Sequence, residues 1–116
     1  MADVRQQDSR LNEIVKQGKM LEALAEFYDA DCTFQEGNAD PRRGRQTQHD
    51  HLSGFFQTLK AFNGATLHTQ GVDGDVSLTE WTFDMVGPDG PILWNEILRR
   101  QWRNGKVVSE RYYTAG

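Results

Sequence analysis

The sequence predicts an α+β fold in which helices come first and an antiparallel sheet follows. Apolar residues recur at helical spacing through the first half of the chain, and the spacing changes to two from Ala65 onward. Three turn signals then divide the second half into four strands: Asp73-Gly74, Gly87-Pro88-Asp89-Gly90 and Asn104-Gly105.

Val4, Leu11, Ile14 and Val15 share one stripe of a first helix, which Gly18 interrupts. Met20, Leu21, Leu24, Phe27 and Tyr28 form the apolar face of a second helix, which should stop near Asp29–Asp31. Cys32-Thr33-Phe34 suits a strand. The stretch Glu36–Arg45 holds Gly37, Asn38, Pro41 and Gly44 and reads as a loop. A third helix runs from about Gln46 to Lys60, with Gln48, His51 or Leu52, Phe55 and Leu59 inward, and Asn63-Gly64 ends it. Asn104-Gly105 suits the positive φ angles of a tight hairpin turn.

The turns set a register. A two-residue loop at Asn104-Gly105 places Arg99 opposite Glu110, Ile97 opposite Tyr112 and Glu96 opposite Tyr113. The preceding turn places Trp81 opposite Glu96 and Phe83 opposite Trp94. One sheet face then carries Trp81, Phe83, Met85, Ile92, Trp94, Glu96, Leu98, Trp102 and Tyr113. The other carries Leu78, Glu80, Thr82, Asn95, Ile97, Arg99, Val108, Glu110 and Tyr112. A β-bulge would change this assignment. Neither face reads as plainly solvated, so a homodimer packed sheet on sheet is expected.

Composition bounds the function. The chain has 116 residues, 37% hydrophobic and 26% charged, which suits one globular domain and excludes a disordered or fibrous chain. Thirteen basic against seventeen acidic residues give a net charge of −4, which argues against nucleic acid as a partner. No stretch approaches the roughly 18 apolar residues of a membrane span. A polar N-terminus without a secretory pattern and a single cysteine, Cys32, point to the cytoplasm.

Three strings together resemble the SnoaL-like and ketosteroid-isomerase-like branch of the NTF2-like superfamily. They are Leu21 to Phe34, the loop ending in Gly44-Arg45, and Arg100 to Tyr113 with its Arg-x-Trp-x-x-Gly-Lys-Val run. The resemblance spans nearly the whole chain and implies a cone, in which a curved sheet wraps the helices and leaves a cavity open at one end. Its ketosteroid isomerases use a carboxylate base after the first strand, a tyrosine from the first helix and a protonated Asp from a later strand. The base position matches Glu36. The tyrosine position falls on or near Leu11, and the Asp position on Arg99 or Ile97. Two of the three groups are missing, so that mechanism is not expected. Hydrophobicity alone would turn the Trp-rich face inward. The resemblance turns Glu80, Arg99, Glu110 and Tyr112 toward the cavity and makes Trp81, Phe83, Trp94 and Trp102 the dimer interface.

The candidate catalytic residues are Glu36 as base, Arg99 as orienting group and Glu110 as its partner. The simpler alternatives are a solvated loop glutamate and an ordinary cross-strand ion pair. Tyr28, His51, Phe55, Glu80, Ile97 and Tyr112 are candidate ligand contacts. His49-Asp50-His51 is a poor metal site because residues two apart diverge on a helix. Pro41–Arg45 reads as a solvated basic loop, and Cys32 as a small apolar residue. The expected function is acid/base chemistry on a small, largely apolar molecule, needing no cofactor or metal. The alternative is a non-catalytic binding or dimerisation module on the same fold.

Overall fold

A computed structural model describes residues 3–114. Three helices, α1 (Val4–Lys16), α2 (Met20–Phe27) and α3 (Arg45–Thr58), pack against six strands. The strands are β1 (Tyr28–Glu36), β2 (Arg42–Arg43), β3 (Ala61–Asp73), β4 (Val76–Gly87), β5 (Gly90–Arg103) and β6 (Lys106–Thr114). The sheet order is β2-β1-β6-β5-β4-β3. β1 joins β6 in parallel, and the other pairings are antiparallel.

Asp3 caps α1, its Oδ1 accepting from the Gln6 N–H at 2.8 Å. α1 ends at Gly18, whose φ of +76° suits glycine, and the Phe62 ring packs on it so closely that a Cβ would sit 3.0 Å away. Helix α2 stops one residue sooner than the apolar pattern suggests, because Tyr28 already pairs with Val107 of β6.

The Asn63-Gly64 signal does not end α3. That helix stops at Thr58, and Ala61 and Phe62 pair with Val86 and Met85 of the long strand β4. Asn63 is the extra residue of a bulge, with Phe62 opposite Met85 and Gly64 opposite Asp84. The loop reading of Arg42-Arg43 is also corrected, since both residues pair with β1.

The β4–β5 register follows its turn, with Trp81 opposite Glu96 and Phe83 opposite Trp94. The β5–β6 register does not. Around Asn104 (φ +52°) and Gly105 (φ +77°) the hairpin starts as its turn dictates, with Arg103 opposite Lys106 and Trp102 opposite Val107. Val108 is then skipped, and Gln101 pairs with Ser109. This bulge places Arg100, not Arg99, opposite Glu110, and Leu98 opposite Tyr112.

A one-residue shift moves side chains to the other face. Glu110 and Tyr112 thereby join the Trp-bearing face, and Tyr113 leaves it. That face is the inner one. Trp81, Phe83, Met85, Leu98 and Trp102 pack against Leu11, Val15, Leu24 and Phe27 of the helices. Trp81, Phe83 and Trp102 are buried within the protomer, so none of them can serve as a dimer contact. Their aromatic surface belongs where burial stabilises most, in the core. The outer face carries Leu78, Ile97 and Tyr113, each at least 40% exposed.

Candidate functional site

Between the helices and the inner sheet face lies a cavity of about 500 Å³. Met20 and Leu24 of α2, Leu52, Phe55 and Phe56 of α3, and Phe83, Met85 and Leu98 of the sheet supply its apolar walls. Phe55 stacks on Trp94 at 5.0 Å between ring centroids. Trp94 is therefore a cavity wall, although 40% of it remains exposed.

The floor is polar and fully bonded. Glu110 accepts hydrogen bonds from Tyr28 Oη, from Tyr112 Oη (2.6 Å) and from Arg100 Nε (2.9 Å). Arg100 Nη1 donates to Asp8 Oδ1 (2.9 Å) and Asn12 Oδ1 (2.6 Å), which fixes the guanidinium to α1. Asp8 also accepts from Ser77 Oγ and Gln70 Nε2, both at 2.8 Å. Trp102 Nε1 donates to Ser77 Oγ at 3.0 Å. From the other side, Gln48 Nε2 donates to Tyr112 Oη at 3.2 Å, and the Gln48 carbonyl accepts from Arg42. A continuous polar chain thus runs from β2, through the cavity floor, to α1. Burial, reinforced by the Glu110 charge, pushes both tyrosine hydroxyls well above their ordinary range and keeps them protonated.

The mouth is charged and wetter. Glu36 ends β1 with its side chain 55% exposed, 3.4 Å from Arg42 and 3.8 Å from His51. These are ordinary solvated neighbours, of small energetic weight.

Glu96 differs from every other carboxylate in the cavity. It projects from β5 on the inner face, between Trp94 and Leu98, with Trp81 across on β4. It has no hydrogen-bond or ion-pair partner among the described residues. Its side chain lines the cavity. Burial, then the negative charges of Glu110 and Glu36, raise its pKa from 4.5 to about 7.

The structure gathers Glu36, Tyr28, His51, Phe55, Glu110 and Tyr112 around one cavity. It separates three of the sequence candidates from it. Arg99 pairs with Arg111 on the outer face, where strand alternation puts it with Ile97 and opposite Leu78 of β4. Glu80 lies on the same outer face, accepting from Thr69 Oγ1 at 2.8 Å, and Ile97 is 42% exposed there. The sequence reading missed Arg100 and Glu96 as site residues. Glu96 was readable, because it shares a face with three tryptophans, and turning that face inward places it in the cavity. Asp8 also left a signal, sitting at helical spacing on the apolar stripe between Val4 and Leu11. Arg100 was readable in the same way as Glu96, since alternation along β5 puts it on the face of Trp94, Glu96, Leu98 and Trp102 and Arg99 on the other; the bulge decides only which of the two meets Glu110. Cys32 is buried against this region, and burial followed by the charge of Glu110 raises its thiol pKa, so it stays a thiol.

The family model for the SnoaL-like domain matches residues 9–110. The chain belongs to the SnoaL-like family. Among solved structures, this SnoaL-like chain is similar to a candidate SnoaL-like polyketide cyclase from Mesorhizobium loti. That pair has 18% identity and a TM-score of 0.86, and covers 97% of this chain and 99% of the other. It is also similar to an NTF2-like protein of unknown function from Burkholderia pseudomallei, at 10% identity and TM-score 0.82, covering 99% and 92%. A third is a hypothetical protein with a ketosteroid isomerase-like fold from Catenulispora acidiphila, in complex with trimethylamine. It has 16% identity and TM-score 0.72, covering 86% of this chain and 78% of the other. At these identities the likeness establishes the fold. No curated protein matches the chain.

Proposed function

We propose that this SnoaL-like domain binds a small, largely apolar molecule in its cavity and moves a proton on it without a cofactor. One observation carries the reading: an unpartnered carboxylate, Glu96, faces an apolar cavity of small-molecule size. Burial poises it near neutrality, where a general acid or base is most effective. Below about pH 7 Glu96 is a neutral donor, and above it a base. The Arg100–Glu110–Tyr28–Tyr112 floor would anchor a polar group of the ligand. Glu36 and His51 would contact it at the mouth. Arg99 has no part in this reading.

A neutral probe tests it. The ring of 5-nitrobenzisoxazole opens when a single base removes its ring proton. The chain should accelerate that opening, with a rate rising through pH 7, and Glu96→Gln should lower the rate by about 10²-fold or more. Equal rates for the two proteins would contradict the role of Glu96.

The second reading, a non-catalytic binder, is favoured by one observation. Both tyrosine hydroxyls are already committed to Glu110, so neither is free to stabilise charge on a ligand.

We also propose a cytoplasmic homodimer that uses the outer sheet face. Leu78, Ile97 and Tyr113 lie there beside Glu80 and Arg99, opposite charges that a twofold axis can bring together. Ile97→Asp should yield monomers by light scattering, and a wild-type chain that is monomeric at about 100 μM would contradict the proposal. No helix among the described residues is long and apolar enough to cross a membrane.

A further inference from the structure

We propose that the cavity takes a small organic cation, an alkylammonium group seated between Glu96 and the rings of Phe55 and Trp94. This rests on the reading that the cavity is the binding site, and it names the ligand class. The charges in and beneath the cavity do not cancel. Asp8, Arg100 and Glu110 form a buried set of two negative charges and one positive. Glu36 is offset by Arg42. The ionised form of Glu96 has no offsetting charge among the described residues.

The groups packed around Glu96 are Arg100 on its own strand, Glu110 and Tyr112 on β6, Tyr28 and Glu36 on β1, and His51 on α3. The β4 side contributes Trp81 and Phe83, and Glu80, with His68 of β3, lines a second pocket that Glu96 also borders. A ligand that fills the cavity expels water. A neutral one would drive Glu96 to take up a proton, and an anionic one would be repelled. A cation compensates it and also meets the faces of aromatic rings, which favour alkylammonium groups. Phe55 and Trp94, whose rings stack at 5.0 Å, line the same cavity as Glu96. Binding a cation would hold Glu96 ionised, the form that accepts a proton.

The test compares choline with its neutral isostere 3,3-dimethylbutan-1-ol, titrated into the full chain and followed by calorimetry and Trp fluorescence. The expected result is at least about tenfold tighter binding of choline at pH 8. Choline affinity should rise about 30-fold from pH 5.5 to pH 8, following the ionised fraction of a group titrating near 7. Glu96→Gln, checked for fold by circular dichroism, should lose both the preference and the pH dependence. Two results would overturn the cation proposal and leave the cavity reading standing: equal binding of the alcohol, or a pH dependence that persists in Glu96→Gln. Failure of both probes to bind, together with no action on 5-nitrobenzisoxazole, would overturn both.

Discussion

Replacing Arg100 by Met is expected to lower the unfolding free energy by about 3–5 kcal/mol. The guanidinium is 1% exposed and lies between two carboxylates, Asp8 at 0% and Glu110 at 5%. A methionine fills similar space but leaves two buried negative charges without their cation. It also frees Asn12 Oδ1, which accepts from the same Nη1. Urea denaturation at pH 7 measures the loss. Replacing Asp8, Arg100 and Glu110 together by apolar residues of similar volume should recover much of it, because the desolvation cost of the ions then disappears with them. A single Arg100→Met variant as stable as the wild type would mean that the polar floor is solvated rather than buried.

Trp81→Ala should cost about 3–5 kcal/mol and leave the oligomeric state of the folded protein unchanged. Trp81 is fully buried, stacks on Phe83 at 5.5 Å and donates from Nε1 to Thr79 Oγ1 at 2.8 Å. Truncation opens a large void between the sheet and the helices and leaves the threonine without its donor. Paired denaturation and light-scattering measurements check both halves. Dissociation of a dimer by Trp81→Ala at unchanged stability would show that the Trp face meets a partner, opposite to the placement found here.

Much of the fold was legible in the chain. The helical stripes, the period-two region and the turns at Asp73-Gly74 and Asn104-Gly105 each reflect local chemistry, and they placed the elements. The β4–β5 register followed from its turn. The β5–β6 register failed at Val108, because no residue there announces a bulge, and a single skipped residue gave Glu110 Arg100 instead of Arg99 as its cross-strand partner. The Asn63-Gly64 signal misled for a related reason. It resembles a helix end, but the length of β4 draws that segment into the sheet as a bulge. Tertiary pairing outweighed local propensity in both places.

The candidate site was legible where it depended on single residues at strand ends, as for Glu36 and Tyr28. It was lost where it depended on which face turns inward. Hydrophobicity pointed the right way: a face with three tryptophans is a core face, and Glu96 travels with it. A carboxylate on such a face is costly unless it is paired or held neutral, which is why an unpartnered one marks a site. The same reasoning predicts its effect on stability. The folded-state pKa of Glu96 lies above its ordinary value, so the folded chain holds its proton longer than the unfolded one. Stability from this group is full below pH 4.5 and declines as the pH rises toward 7, by roughly 3 kcal/mol in all.

The titration of Glu96 itself, read from its side-chain carboxyl carbon by NMR in the ligand-free chain, decides whether the cavity holds a proton-transfer group. A midpoint near 7 is predicted, from burial in an apolar cavity beside Glu110 and Glu36. A midpoint at the ordinary 4.5 would mean a solvated carboxylate, and the proton-transfer reading of the cavity would be wrong.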